Sequence, residues 1–200
     1  KSLAVLGIDI GTSSCRAVLI DVHNGAVLGE GVTGYRSGER GLKTDRKVPG
    51  LARQEPRDYA EAMVASTRAC LRPDVEVVAI GVDSTASTVL PVDRFARPLT
   101  LQEAFESNLN AQTWLWKDHT SQEEAALITQ AAQRLAPEVL RANGGFRYSP
   151  ENIWAKVARC ERIDAKVWDA AAGWLEVADY VVGSVLIGID RLEDIPRSIS

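Results

Sequence analysis

The amino-acid sequence predicts an α/β domain in which helices cover both faces of a mixed central sheet. Two apolar runs rich in β-branched residues, Leu3 to Ile8 and Arg16 to Ile20, flank a short polar turn and predict a β-hairpin. Asn24-Gly25 is a strong turn signal before a third strand at 26–32, which would complete an antiparallel meander. A helix and two further strands follow, and this order is typical of a mixed sheet with helical cover.

The composition is that of an ordinary globular protein and excludes several classes of function. The chain has 200 residues, enough for one well-cored domain, with 46% hydrophobic and 25% charged residues. Its formal net charge is −4 and it has no basic run, so we expect no nucleic-acid partner. No apolar run reaches membrane-spanning length, and three separated cysteines fit a reducing compartment. We therefore expect a cytoplasmic protein without a membrane partner.

Helix and strand signals follow the meander in chain order. The segment 33–55 is polar and Gly-rich and predicts a mobile surface loop, part of which could instead lie over a binding site. Pro56 suits the first turn of a helix that ends before Pro73. Two apolar runs, 75–82 and 87–92, predict buried strands.

Hydroxyl caps, first-turn prolines and apolar residues at intervals of three and four predict helices in the second half. They begin near Thr120 or Ser121, at Ser149-Pro150-Glu151 after a Gly144-Gly145 break, at Asp164 and at Leu175. The acidic, Trp-bearing helices near the end could form a homodimer surface or pack against a further domain, and the sequence leaves both alternatives open.

The turn of the first hairpin carries groups suited to nucleotide phosphates. Gly11 can adopt positive φ, and Thr12 and Ser13 add hydroxyls and N–H groups that can surround an anion. Asp9 is the kind of carboxylate that holds Mg²⁺ together with water and phosphates, and Arg16 offers a fixed positive fork. The whole string indicates a nucleotide triphosphate site, although Gly-Thr alone would fit a plain solvated turn equally well.

A second polar stretch follows the strand at 75–82. Thr85 and Ala86 belong to a run of small and hydroxylated residues, 83–87, which would allow a ligand to approach the backbone. A plain polar loop is the alternative for this stretch.

The third stretch, 114–120, places aromatic rings beside charged groups. Trp116 can stack on the C–H groups of a polyol, while Lys117, Asp118 and His119 can hydrogen-bond its hydroxyls. His119 could also cap a helix or lie in the core. A metal role for His119 is not expected, because no nearby histidine or cysteine pair accompanies it.

These stretches, in order and spacing, resemble the FGGY carbohydrate kinases. Asp9-Ile-Gly-Thr-Ser-Ser-Cys-Arg16 is similar to the first phosphate motif of the actin and hexokinase superfamily. Asp118 matches the aspartate of the family's Trp-x-Asp-x-Arg pattern. The stretches 79–93, 117–120 and 148–156 resemble the ribulokinase form, and the resemblance extends from Ala4 to the end of the chain.

The resemblance implies an actin-like ATPase (ribonuclease H-like) fold and an ATP- and Mg²⁺-dependent transfer of phosphate to ribulose, giving ribulose 5-phosphate. Residues 1–200 would form the N-terminal, sugar-binding domain. The nucleotide-binding domain and the general base would lie beyond Ser200, so the chain would contain no catalytic residue and would be inactive alone. The alternatives are a kinase for another ketopentose or polyol such as xylulose, and a non-catalytic half-protein that binds sugar or phosphate.

The resemblance also implies roles for single residues. Those expected to meet the ATP phosphates are Asp9, which also serves the metal, Gly11, Thr12, Ser13 and Arg16. Those expected to line or support the sugar site are Thr85, Ala86, Trp116, Lys117, Asp118 and His119.

Overall fold

A computed structural model describes residues 2–142 and 147–198. The predicted Gly144-Gly145 break and Ser200 lie outside these ranges. The strands are β1 (Ser2–Ile10), β2 (Ser14–Asp21), β3 (Val27–Gly34), β4 (Lys43–Asp45), β5 (Val48–Gln54), β6 (Val75–Ser84), β7 (Val89–Val92), β8 (Thr113–Trp114) and β9 (Gly173–Glu176). The helices are α1 (Pro56–Cys70), α2 (Gln122–Leu135), α3 (Pro137–Ala142), α4 (Ile153–Ile163), α5 (Ala165–Ala170) and α6 (Val177–Asp179), which continues as a π-helix (Tyr180–Ile187).

The first sheet, sheet A, has the strand order β3-β2-β1-β6. β1 runs antiparallel to β2 and parallel to β6, so the predicted meander and the mixed character of the sheet are both confirmed. The register places Asp9 opposite Arg16 on one side and Asp83 on the other. The polar ends of β1, β2 and β6 therefore lie side by side at one end of the strands of sheet A.

The helices of sheet A pack on one face. Alternate residues of β1, including Leu6 and Ile8, are buried with residues of α1 and of the helical segment 177–187. The opposite face carries an open groove of about 590 Å³ along β1, β2, β3 and β6. Within the described ranges, the predicted helical cover is therefore found on one face of sheet A and not on both.

Glycines allow α1 to lie directly on β3. A Cβ atom at Gly29 would come within 2.2 Å of the Cys70 carbonyl oxygen, and one at Gly31 within 2.1 Å of the Ser66 oxygen. No real Cβ tolerates such distances, so the helix approaches the strand backbone only because these side chains are absent. The helix itself begins at Pro56, as predicted.

The second sheet, sheet B, corrects the prediction for the segment 33–55. Instead of a mobile loop, most of its second half forms β4 and β5, which join an antiparallel sheet of order β4-β5-β8-β7-β9. Residues Leu51 to Gln54 are buried. Arg53 and Gln54 can be buried because they find polar partners that are remote in the sequence.

Two further predictions change with the sheet topology. β6 was expected to be a buried strand, but it is an edge strand of sheet A, with Val78 and Ile80 each more than half exposed. The helix expected from Leu175 begins at Val177, because the residues before it pair with β7 as β9. None of the helices in the described part of the chain has the length and apolar character needed to cross a bilayer.

Candidate functional site

The turn between β1 and β2 is tight and depends on Gly11. Its N–H donates to the Ser14 carbonyl at 3.0 Å, and a Cβ on Gly11 would lie only 3.1 Å from that oxygen. Gly11 does not have positive φ, so the expected reason for glycine was wrong. The advantage of glycine here is this close approach, since an added Cβ would displace the Ser14 carbonyl by a few tenths of an ångström.

Asp9 and Arg16 leave the turn on the open face of sheet A. The guanidinium Nη1 lies 3.8 Å from Asp9 Oδ2, and both side chains are well exposed to solvent. Asp83 lies beside Asp9 in the parallel register and also borders the groove. Two carboxylates and one guanidinium therefore face the same open space.

This arrangement fits a Mg²⁺ ion that arrives with a nucleotide. Among the described residues, no group of three or more His, Cys, Asp or Glu side chains is placed to hold a metal by itself. Mg²⁺ usually needs only one or two protein carboxylates, because water and substrate phosphates complete its coordination. Asp9, with Asp83 as its neighbour, supplies that number.

A cavity of about 370 Å³ brings together several of the residues expected to meet a sugar. Its lining residues are Thr85, Ala86, Ser87, Trp116, Glu151 and Asn152. Sequence reasoning missed Glu151 and Asn152 as site residues, although it placed a helix start at this position. The signal was the resemblance of 148–156 to ribulokinases, which marked the segment without assigning these side chains.

Thr88 ties the two sides of this cavity together. Its hydroxyl lies 2.7 Å from the Thr85 hydroxyl and accepts a hydrogen bond from the Trp116 backbone N–H at 3.1 Å. The turn before β7 and the loop after β8 are thereby held side by side. Ala86 and Trp116 consequently line the same space.

Asp118 lies beneath this site and does not line the cavity. Its carboxylate is fully buried and accepts hydrogen bonds from the Ala52 N–H at 2.7 Å, from the Arg53 guanidinium, and from the Thr120 N–H and hydroxyl. Burial lowers the pKa of Arg53 to about 10, while Asp118 opposes this shift. In this structure Asp118 therefore supports β5 and the Trp116 loop from below.

Lys117 and His119 also lie outside the cavity lining. His119 reaches its rim, where Nε2 lies 2.7 Å from Oε1 of Glu151. A carboxylate can accept several hydrogen bonds, so Glu151 can contact His119 and still face the cavity. His119 therefore orients a lining residue and does not line the cavity itself.

A chain of hydrogen bonds connects the cavity with the turn between β1 and β2. The Trp116 indole N–H donates to the Thr12 hydroxyl at 3.1 Å. The Gln54 side-chain amide donates to the Thr12 carbonyl at 2.7 Å and accepts from the Tyr59 hydroxyl at the same distance. Thr12, in the turn between β1 and β2, is therefore held by Gln54 of sheet B and by Trp116 of the loop that follows β8.

Curated relatives match this chain over most of its length. It is 34% identical over 192 residues to a ribulokinase of Halalkalibacterium halodurans, covering 90% of this chain and 33% of that protein. It is also 34% identical over 183 residues to a ribulokinase of Vibrio parahaemolyticus, with 88% and 32% covered. The chain thus spans about a third of the length of these relatives. No protein-family model matches it.

Solved structures share the fold. A xylulose kinase from Rhodospirillum rubrum superposes with a TM-score of 0.68 at 20% identity, covering 90% of this chain and 33% of that one. A glycerol kinase from Plasmodium falciparum, solved with ADP, gives 0.67 at 16% identity, with 94% and 35% covered. The resemblance to ribulokinases is therefore confirmed over nine-tenths of this chain, and its fold is the actin-like fold of the FGGY-type sugar kinases.

Proposed function

We propose that this chain is the N-terminal, sugar-binding domain of an ATP-dependent kinase that phosphorylates ribulose to ribulose 5-phosphate. The observation that carries the proposal is the hydrogen bond between Trp116 and Thr12, which joins the wall of the cavity to the turn between β1 and β2. A phosphoryl group held at the turn would thus be close to a polyol held in the cavity. Similarity to ribulokinases supports ribulose as the polyol.

The cavity has the groups that a short polyol needs. The Trp116 ring offers an apolar face for C–H groups, and Ala86 leaves room for a ligand to approach the backbone. Glu151 and Asn152 supply a carboxylate and an amide for hydroxyl groups. This combination of one aromatic wall and several acceptors favours a sugar over an apolar ligand.

The phosphate turn has the groups that a nucleotide's phosphates need. Arg16 carries a positive fork toward the groove, and the hydroxyls of Thr12 and Ser13 lie at the same turn. A Mg²⁺ ion held by Asp9 would neutralise charge on the transferred phosphate. In such transfers the protein acts mainly by positioning the reactants and stabilising charge, which is what this turn and cavity can do.

The proposal assigns no general base within the chain. Asp118 is buried and fully engaged with backbone and Arg53, and Asp9 is assigned to the metal. The base and the rest of the nucleotide site would belong to a second domain of the complete gene product. This division agrees with the one-third coverage of the ribulokinase relatives.

A coupled ADP-release assay on the complete gene product tests the proposal. We expect turnover with ribulose to exceed that with xylulose or glycerol, and the two ribulose enantiomers compared side by side identify the one accepted. An Asp9→Ala variant should mainly lower kcat, which controls for contaminating ATPases. Robust ADP release by residues 1–200 alone would contradict the division into domains. Ribulose binding without any ADP release would replace the kinase by a non-catalytic sugar-binding protein.

A further inference from the structure

Lys156 lies on α4 just below the sugar cavity and is fully buried. Its ammonium group donates to the Ser87 carbonyl at 2.5 Å and to the Leu115 carbonyl at 2.9 Å. Ser87 lines the cavity, and Leu115 directly precedes the lining residue Trp116. Lys156 therefore binds the backbone of both cavity walls, the turn at Ser87 and the loop at Trp116.

The backbone conformation of Ser87 needs a stabilising contact of this kind. Ser87 has a φ of 55°, the left-handed region that residues with a Cβ rarely adopt. A conformation of this kind costs about 1–3 kcal/mol and persists only where surrounding contacts hold it. The hydrogen bond from Lys156 turns the Ser87 carbonyl toward the protein interior and so fixes the direction of the turn that carries Ala86.

The buried charge itself is expensive. Burial lowers the pKa of Lys156 to about 8, an effect that Asp118 opposes and Arg53 reinforces. An apolar side chain of similar length, such as methionine, would fill the same space without this cost. Methionine cannot donate hydrogen bonds to the two carbonyls, and these bonds join the walls in addition to the contacts made by the Thr88 hydroxyl.

We propose that Lys156 is a positioning residue that sets the spacing between the Ser87 turn and the Trp116 loop, and thereby the fit of the sugar. The inference rests on the proposed sugar site and deepens it. Because the ammonium is fully buried, Lys156 acts through the backbone of these lining residues and does not touch the substrate.

Kinetics of the complete gene product test this role. Replacing Lys156→Met should raise KM for ribulose by about tenfold or more, since two hydrogen bonds to a charged donor are lost, while KM for ATP changes much less. Lys156→Gln keeps an N–H donor, so its KM for ribulose should lie between that of the wild type and that of Lys156→Met. An unchanged KM for ribulose in folded Lys156→Met would overturn the proposal, as would an equal rise in both KM values.

Ser66→Ala serves as the matched control. It also removes a buried side-chain hydrogen bond to a carbonyl, that of Cys15 at 2.9 Å, but it lies on α1, away from the cavity. Its KM for ribulose should equal that of the wild type. A rise as large as that of Lys156→Met would show that general destabilisation, and not the position of the walls, controls sugar binding.

A crystal structure of the Lys156→Met gene product gives a readout that does not depend on turnover. Ser87 should leave its left-handed conformation, and Ala86 should move relative to Trp116. If Ser87 stays at φ near 55° and the walls keep their spacing, the inference fails even in an active kinase. If the wild type has no activity with any sugar, the proposed function fails, while this structural comparison still decides the role of Lys156. Should Lys156→Met not fold, Lys156→Gln takes its place in both experiments.

Discussion

Two aspartates, Asp9 and Asp118, were both predicted from sequence motifs to serve a binding site, but their burial differs. Asp9 is well exposed beside an open groove and has room for a metal or a phosphate. Asp118 has no exposed surface, and both of its oxygens already accept hydrogen bonds. The same chemical group therefore faces an open groove in one case and holds the scaffold in the other.

Removing the charge of Asp118 should consequently cost stability. Asp118→Asn leaves the buried Arg53 guanidinium without its ion pair, and breaking a buried pair typically costs about 3–5 kcal/mol. Urea denaturation should show a loss of this size. Asp74→Asn, which breaks an exposed pair with Arg72, is the control and should change the midpoint little. A stable Asp118→Asn protein with a raised KM for ribulose would instead make Asp118 a direct sugar ligand.

The contact between α1 and β3 makes a second prediction possible. In Gly31→Ala the new methyl group would lie 2.1 Å from the Ser66 carbonyl oxygen, so helix and strand must separate. Overpacking of this kind costs about 1–3 kcal/mol or more. Gly81→Ala is a matched control, because a Cβ at Gly81 meets nothing within 4 Å. Equal unfolding midpoints for the two variants would contradict the close approach of α1 to β3.

The sequence predicted those elements whose partners are local. The hairpin of β1 and β2 and the helix α1 follow from apolar periodicity and turn signals, and each is found close to its expected bounds. β5 was missed because its polar residues Arg53 and Gln54 are buried by partners far away in the chain. Lys156 escaped notice as a site residue for the same reason, since its two acceptors lie 69 and 41 residues away. Local patterns do not encode such pairings.

The molecule as a whole is built from two sheets that meet at the turn between β1 and β2, where we propose that the phosphates bind. Sheet A and its β1–β2 turn carry Asp9, Thr12 and Arg16, whereas sheet B and its loops carry the cavity that we propose for the sugar. Thr12 is where they touch, through Trp116 on one side and Gln54 on the other. Since Gln54 of sheet B holds the carbonyl of Thr12 and Trp116 of the loop after β8 holds its hydroxyl, the position of the β1–β2 turn depends on the loop that lines the cavity.

This connection predicts separate roles for two parts of Trp116. The indole N–H should affect the KM for ATP, and the aromatic ring should affect the KM for ribulose. Trp116→Phe keeps an aromatic face but loses the indole N–H, so KM for ATP should rise by a factor of about 2 to 10, the usual worth of one hydrogen bond, with KM for ribulose little changed. Trp116→Ala also removes the ring and should raise KM for ribulose.

Thr12→Val deletes the acceptor, and its effect on KM for ATP should not add to that of Trp116→Phe, because both remove the same bond. Fully additive effects in steady-state kinetics of the complete gene product would mean that the two sheets position their ligands independently.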